Sequence, residues 1–272
     1  TDGMNIQLTI DYNIQMSLER ELDNAVKAFN PDMALAIVMD PNTGEILGMS
    51  SRPNYDPNNY LDYDMETLSR NLPIWASYEP GSTFKISTFA AALEENLIDM
   101  ENDHFYDSGS VIVSGARIGC WKAGGHGDQT YLQVLQNSCN PGFVKLGQML
   151  GKERLFSYLD LFGFGEKTGI DLNGEGEGII FSLDQAGDLE LSTTAFGQGV
   201  SVTPIQQVTA VSSIVNGGNL YQPYIVKSFM EPETNSVIQT NEPKLVRKTI
   251  SEETSSKMRY ALETVVALGG GK

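Results

Sequence analysis

One hydrophobic stretch does most to limit the folds open to this chain. Pro80-Gly81 interrupts the sequence, and residues 82–95 follow with Phe84, Ile86, Phe89, Ala90, Ala92 and Leu93. Adjacent proline and glycine mark a break. The spacing after it predicts a helix with an apolar body, and such a body has to be covered by other elements. Ser82, its first residue, is of a type that caps helix N-termini.

The covering elements are legible on both sides. Residues 5–10 alternate like a strand, and residues 12–29 place Ile14, Leu18, Leu22, Val26 and Phe29 at helical spacing. Pro31 ends that helix. Residues 34–39 and 45–50 are apolar and flank Asp40-Pro41-Asn42-Thr43-Gly44, which predicts a β-hairpin. Residues 52–60 hold two prolines among asparagine and aspartate and read as a loop. Further helices are expected at 131–136, 142–150, 152–162, 203–215 and 251–268. Strands are expected at 110–113 and 222–229, with an irregular glycine-rich stretch at 163–178. No repeat and no linker calls for two domains.

Composition narrows the function classes. Eighteen Lys and Arg against 35 Asp and Glu leave a net charge of −17. That charge repels phosphate and argues against nucleic acid as a partner. No run of about 18 apolar residues could span a membrane. The chain opens on the polar Thr1-Asp2-Gly3 without a signal peptide, so its start reads as a domain boundary. The two cysteines, Cys120 and Cys139, form no C-x-x-C pair, and the only histidines are His104 and His126. A structural zinc site takes about four such ligands, so no metal is expected, and no cofactor either.

Two short motifs carry chemistry. Ser82-Thr83-Phe84-Lys85 is an S-x-x-K tetrad whose serine and lysine share one helix face. A serine hydroxyl needs a base within hydrogen-bond reach. A lysine serves when burial and a helix N-terminus lower its pKa. Ser138-Cys139-Asn140 is an S-x-N triad, with a hydroxyl to relay a proton and an amide to hold a lysine or a substrate carbonyl. Taken singly, each is better read as a cap, a turn or a surface residue, and Ser69-Arg70-Asn71 repeats the triad pattern.

Several segments in order settle the comparison. Tyr78-Glu79-Pro80-Gly81-Ser82-Thr83-Phe84-Lys85 resembles the nucleophile segment of class B penicillin-binding proteins. So do residues 39–47, Asp56-Pro57-Asn58, Gly125-His126-Gly127, residues 136–140 and Phe196-Gly197-Gln198-Gly199 in their own places. The resemblance runs from about residue 5 to residue 272. It implies an α+β serine transpeptidase fold, like that of β-lactamases, with helices around an antiparallel sheet.

The implied activity is peptidoglycan D,D-transpeptidation. Ser82 would attack the penultimate D-alanine carbonyl of a stem peptide, Lys85 would take its proton, Ser138 would relay a proton to the leaving amine, and Asn140 would orient the substrate. β-Lactam antibiotics would acylate Ser82. A glycosyltransferase partner and a site on the outer face of the cytoplasmic membrane, held by an N-terminal anchor, are implied too. The other reading is a penicillin-recognising sensor or scaffold that keeps Ser82 without turnover.

The family also carries a K-T-G motif on a strand facing the nucleophile. Lys167-Thr168-Gly169 spells it but sits among glycines and is rejected. The true motif and the last strands are expected beyond residue 272, so residues 1–272 alone are expected to be a poor enzyme. Cys120 and Cys139 flank the implied site, as in sporulation-type members. They form either a redox pair served by a thiol–disulfide oxidoreductase or two inert thiols. His126 reads as a loop-shaping residue, and Trp75 and Trp121 as packing or groove-lining residues.

Overall fold

A computed structural model describes residues 3–270. The expected hairpin forms from Ala34–Met39 and Ile46–Arg52, with Ala34 opposite Arg52 and a register shift near Met39. Helix Tyr12–Phe29 lies across it. Asp11 caps this helix by accepting the amides of Asn13 and Ile14, and left-handed Asn30 closes it. Gly48 admits the close approach, since a Cβ there would meet the Leu18 and Ile14 side chains. Gln15 fixes the contact by donating to the Met49 carbonyl and accepting the Met49 amide, both at 2.9 Å.

Eight of the ten residues in helix Lys85–Glu94 are buried, so the apolar body runs through the centre of the molecule. Around it pack helices Asn140–Leu161, Pro204–Val215 and Glu252–Ala267. Phe84, Phe89, Phe143, Leu146, Leu155, Ile214 and Met258 form this core. A smaller core of Met39, Ile46, Ile74, Ile170 and Ile205 ties the hairpin to helix Pro204–Val215. Asn5–Leu8 pairs with Val226–Met230, which pairs in turn with Val237–Thr240, giving a three-stranded antiparallel sheet.

The structure departs from the sequence reading at definite points. The central helix begins at Lys85, and Gly81–Phe84 is a 3₁₀ turn in which Ser82 caps nothing. Gly81 takes φ +53 there, which a regular α-helical start would not allow. The stretches 142–150 and 152–162 belong to Asn140–Leu161, broken at Gly151 with φ 74 and ψ 165. The strand expected from residue 222 starts at Val226, because Pro223 has no amide for a ladder. Asn219–Tyr221 pairs instead with Leu245–Lys248. Helix Asp188–Thr194 went unread, being short and polar. The strand expected at 110–113 forms as Ser110–Val113, but its partner Ala116–Gly119 went unread, as did the pairing of His104–Asp107 with Gly127–Thr130 that encloses the two.

Candidate active site

The turn that carries Ser82 is held from behind. The Gly81 amide donates to the Gly197 carbonyl at 2.9 Å, and the Gly199 amide donates to the Glu79 carboxylate at 2.8 Å. Gln207 donates to the Thr83 carbonyl, and the Phe84 ring packs on Phe164 with centroids 4.8 Å apart. In a 3₁₀ turn, residues three apart eclipse. Ser82 and Lys85 therefore share a face even without an α-helical first turn. Ser82 is exposed at the cleft, whereas Lys85 is 1% exposed.

The second half comes from the junction between helices Tyr131–Gln136 and Asn140–Leu161. Ser138 sits there with φ +49, a left-handed conformation that an L-residue rarely takes. This turn aims both its carbonyl and its hydroxyl at Lys85. Lys85 Nζ donates to the Ser138 carbonyl at 2.8 Å, to Ser138 Oγ at 2.9 Å and to Asn140 Oδ1 at 2.7 Å. Ser138 Oγ in turn lies 3.0 Å from Ser82 Oγ. Among the described residues, the hydrogen-bonded link from Lys85 to the Ser82 hydroxyl thus runs through Ser138.

Burial penalises the ammonium and lowers the Lys85 pKa to about 8, against a smaller opposing pull from the two cysteines. A group so placed exchanges a proton readily near neutral pH. The Phe143 ring lies 5.2 Å from its nitrogen. Ser82, Lys85 and Ser138 line a cleft of about 650 Å³ together with Trp121, Leu262 and Leu268, and Asn140 stands beside it through its contact with Lys85. All four sequence-predicted residues therefore meet at one place.

The look-alikes lie elsewhere. Thr168 and Gly169 donate to the Glu175 carboxylate in a loop, beside a different cavity shared with Gln206 and Leu220. Arg70 stacks on Trp75, away from Ser82. Sequence reasoning gave Glu79 and Gly197 no role, although both fall inside segments it had marked. Their task is to hold the Ser82 turn.

The two cysteines stand behind this site. Cys139, between Ser138 and Asn140, is fully buried, and Cys120 is half-buried; both are free thiols. Burial pushes the Cys139 thiol up to about 12. Burial would also raise the Asp107 carboxyl, but hydrogen bonds from Cys120, Gly109 and His126 win and hold it well below the ordinary range. The expectation of no metal counted only Cys and His. Asp107 adds a carboxylate to Cys120, His126 and Cys139, and the four ligand atoms cluster within 4.8 Å of one another.

A family model for the penicillin binding protein transpeptidase domain matches residues 34–272. The chain belongs to the penicillin-binding protein transpeptidase family. It is 59% identical over 271 residues to stage V sporulation protein D of Bacillus subtilis, covering 100% of this chain and 42% of that protein. It is 30% identical to peptidoglycan D,D-transpeptidase FtsI of Escherichia coli, covering 98% of this chain and 42% of the relative. Among solved structures, penicillin binding protein 3 of Mycobacterium tuberculosis complexed with aztreonam superposes with a TM-score of 0.89 at 28% identity, over 97% of this chain and 58% of that one. The α+β transpeptidase fold expected from the sequence is the fold observed. This transpeptidase-family chain spans about two-fifths of the length of the curated relatives it matches.

Proposed function

We propose that this domain cross-links peptidoglycan as a serine D,D-transpeptidase, acting through an acyl-enzyme on Ser82. The observation that carries the reading is the unbroken contact from Ser82 Oγ through Ser138 Oγ to a buried lysine amine. The neutral Lys85 amine takes the Ser82 proton by way of Ser138 while Ser82 Oγ bonds to the penultimate D-alanine carbonyl carbon. The Ser82 amide is one donor to the oxyanion. The proton then returns through Ser138 to the departing D-alanine nitrogen as the peptide bond breaks. Asn140, held by Lys85, orients the donor peptide. An amine from a second stem peptide takes the acyl group and restores Ser82.

β-Lactams enter the same path as donor mimics. On this reading the second oxyanion donor and the carboxylate-binding K-T-G strand come from chain outside residues 1–272, as do a membrane anchor on the outer face of the cytoplasmic membrane and contacts with a glycosyltransferase. The two free thiols fit regulation by a thiol–disulfide oxidoreductase. It would accept two electrons and two protons as Cys120 and Cys139 join, pulling on Ser138 and Asn140.

Mass spectrometry after exposure to a β-lactam tests the proposal, with the full-length product of the gene beside residues 1–272. A single adduct on Ser82 in the full-length protein, absent from Ser82→Ala, is expected, with slow labelling of residues 1–272. An adduct that persists in Ser82→Ala would refute it. A cross-linking assay with stem peptides separates the enzyme from a sensor, which would acylate but release no D-alanine.

A further inference from the structure

A cavity of about 290 Å³ lies beside the strand pair Asn219–Tyr221 and Leu245–Lys248, and its lining shares no residue with that of the Ser82 cleft. Phe162 and Leu220 give it an apolar floor, both of them buried. Helix Pro204–Val215 contributes the buried Gln206 to its wall. The register of the strand pair shifts between Leu245 and Arg247. A regular strand sends successive side chains to opposite faces, whereas Leu245, Val246 and Arg247 all line this cavity. The irregularity thus turns Arg247 and its neighbours the same way, which is a common use of a bulge.

The charge of the lining runs against that of the molecule. The chain has a net charge of −17 and only 18 Lys and Arg, yet Lys167, Lys244 and Arg247 all line this one cavity, against a single acid, Glu166. Glu166 pairs with Arg247 through Nη2. Lys167 reaches Glu177 at 3.7 Å, with both side chains more than half exposed, and an exposed pair of this kind holds its partners weakly. Among the described residues the Lys244 ammonium forms no ion pair. Arg247 Nε is buried without a partner. The Gln206 amide has nothing left to offer it: Nε2 donates to the carbonyls of Glu166 and Glu177, and Oε1 accepts the Thr203 amide. A buried guanidinium edge in this state calls for an acceptor from outside the chain.

We propose that this cavity binds the oxyanion end of a small amphipathic acid, a carboxylate or a phosphate monoester carried on an apolar or aromatic body. Arg247 Nε donates to one oxygen, and the Lys244 and Lys167 ammonium groups neutralise the others. The body lies on Phe162 and Leu220. A metal cation is repelled by the three positive groups, and a neutral ligand leaves them unpaired. The volume sits near the lower end of the roughly 300–1,000 Å³ of small-molecule sites, which excludes a polymer. The net charge repels an extended polyanion, whereas a single small anion responds to the local field of the cavity. No bond is made or broken on binding. The assignment shares no residue with the acyl-transfer site and stands apart from that reading.

Isothermal titration calorimetry on the intact protein provides the test. Phenyl phosphate and N-acetylphenylalanine are the two acids, and N-acetylphenylalanine amide is the neutral control. At least one acid should bind saturably, one per chain, and prior treatment with a β-lactam should leave that binding unchanged. The acid that binds more tightly names the source of the oxyanion. The amide should bind about tenfold more weakly or worse, the usual worth of a charge-assisted hydrogen bond, and added salt should weaken the acid. Arg247→Gln and Lys244→Gln should each weaken it about tenfold or more, with β-lactam labelling at the wild-type rate. Lys244 is exposed, so its variant keeps the test decisive if Arg247→Gln fails to fold. Equal binding of the amide, wild-type affinity in a folded variant, loss of binding after β-lactam treatment, or no binding of either acid would each overturn the assignment.

Discussion

The hydroxyl of Ser138 lies 3.0 Å from that of Ser82, a residue 56 positions earlier in the chain. The same oxygen is 2.9 Å from Lys85 Nζ, so in the proposed mechanism it is the bridge over which a proton passes. Ser138→Ala removes the bridge and leaves the Lys85 contacts to the Ser138 carbonyl and to Asn140. Acylation by a chromogenic β-lactam should slow by about 10²–10⁴, the usual worth of a positioned proton carrier, with an unchanged circular dichroism spectrum. Wild-type acylation rates in Ser138→Ala would remove the residue from the path.

Acylation should follow the protonation of Lys85. Its pKa of about 8 makes the neutral amine the minor form below that pH. The rate should therefore climb about tenfold per pH unit in the acid range and level off above about 8. Stability carries a related signature. The folded value lies below the ordinary 10.5, so the unfolded chain binds the proton more tightly. The resulting destabilisation is fully present below about 8 and is relieved as pH rises toward 10.5. Relative to Lys85→Met, the wild type should gain thermal stability across that window. A pH-independent acylation rate would count against Lys85 as the base.

Gly197 should not tolerate a side chain. It holds φ +81, and a Cβ there would collide with the Gly81 carbonyl and crowd Phe84. Gly197→Ala is expected to cost more than about 1 kcal/mol and to displace the Ser82 turn. Denaturant unfolding and acylation rate should fall together in this variant. Its loss in rate should exceed that of Phe89→Ala, which should cost about 3–5 kcal/mol from a core position that does not line the cleft.

Lys167→Ala should leave acylation of the full-length protein unchanged, because the Lys167-Thr168-Gly169 loop is hydrogen-bonded to Glu175 and lines another cavity. A comparison of second-order labelling rates checks this. A loss comparable to that of Ser138→Ala would return the loop to the site.

The sequence carried the site more fully than the scaffold behind it. Ser82, Lys85, Ser138 and Asn140 were legible because the segments around them resemble, in order, those of class B penicillin-binding proteins, although each motif alone reads as a cap or a turn. The apolar periods of helices Tyr12–Phe29 and Glu252–Ala267 were legible because burial repeats along them. The paired strands around Asp107 were not, because their ladder is built from backbone groups under a polar sequence. Ser138's left-handed turn was also hidden: serine has no preference for it, and the packing of two helices imposes it. The Asp107 carboxylate escaped notice among 35 acidic residues, since only the fold says which of them is buried beside two thiols.

Trp121 is one of two tryptophans in the chain. It is 69% exposed, and its indole donates to the Asn137 carbonyl at 2.7 Å. One side of the ring borders the cleft, and another meets His126. The protein therefore contains its own optical probe. Emission from this indole should change when the cleft is occupied, which makes that event observable without a label.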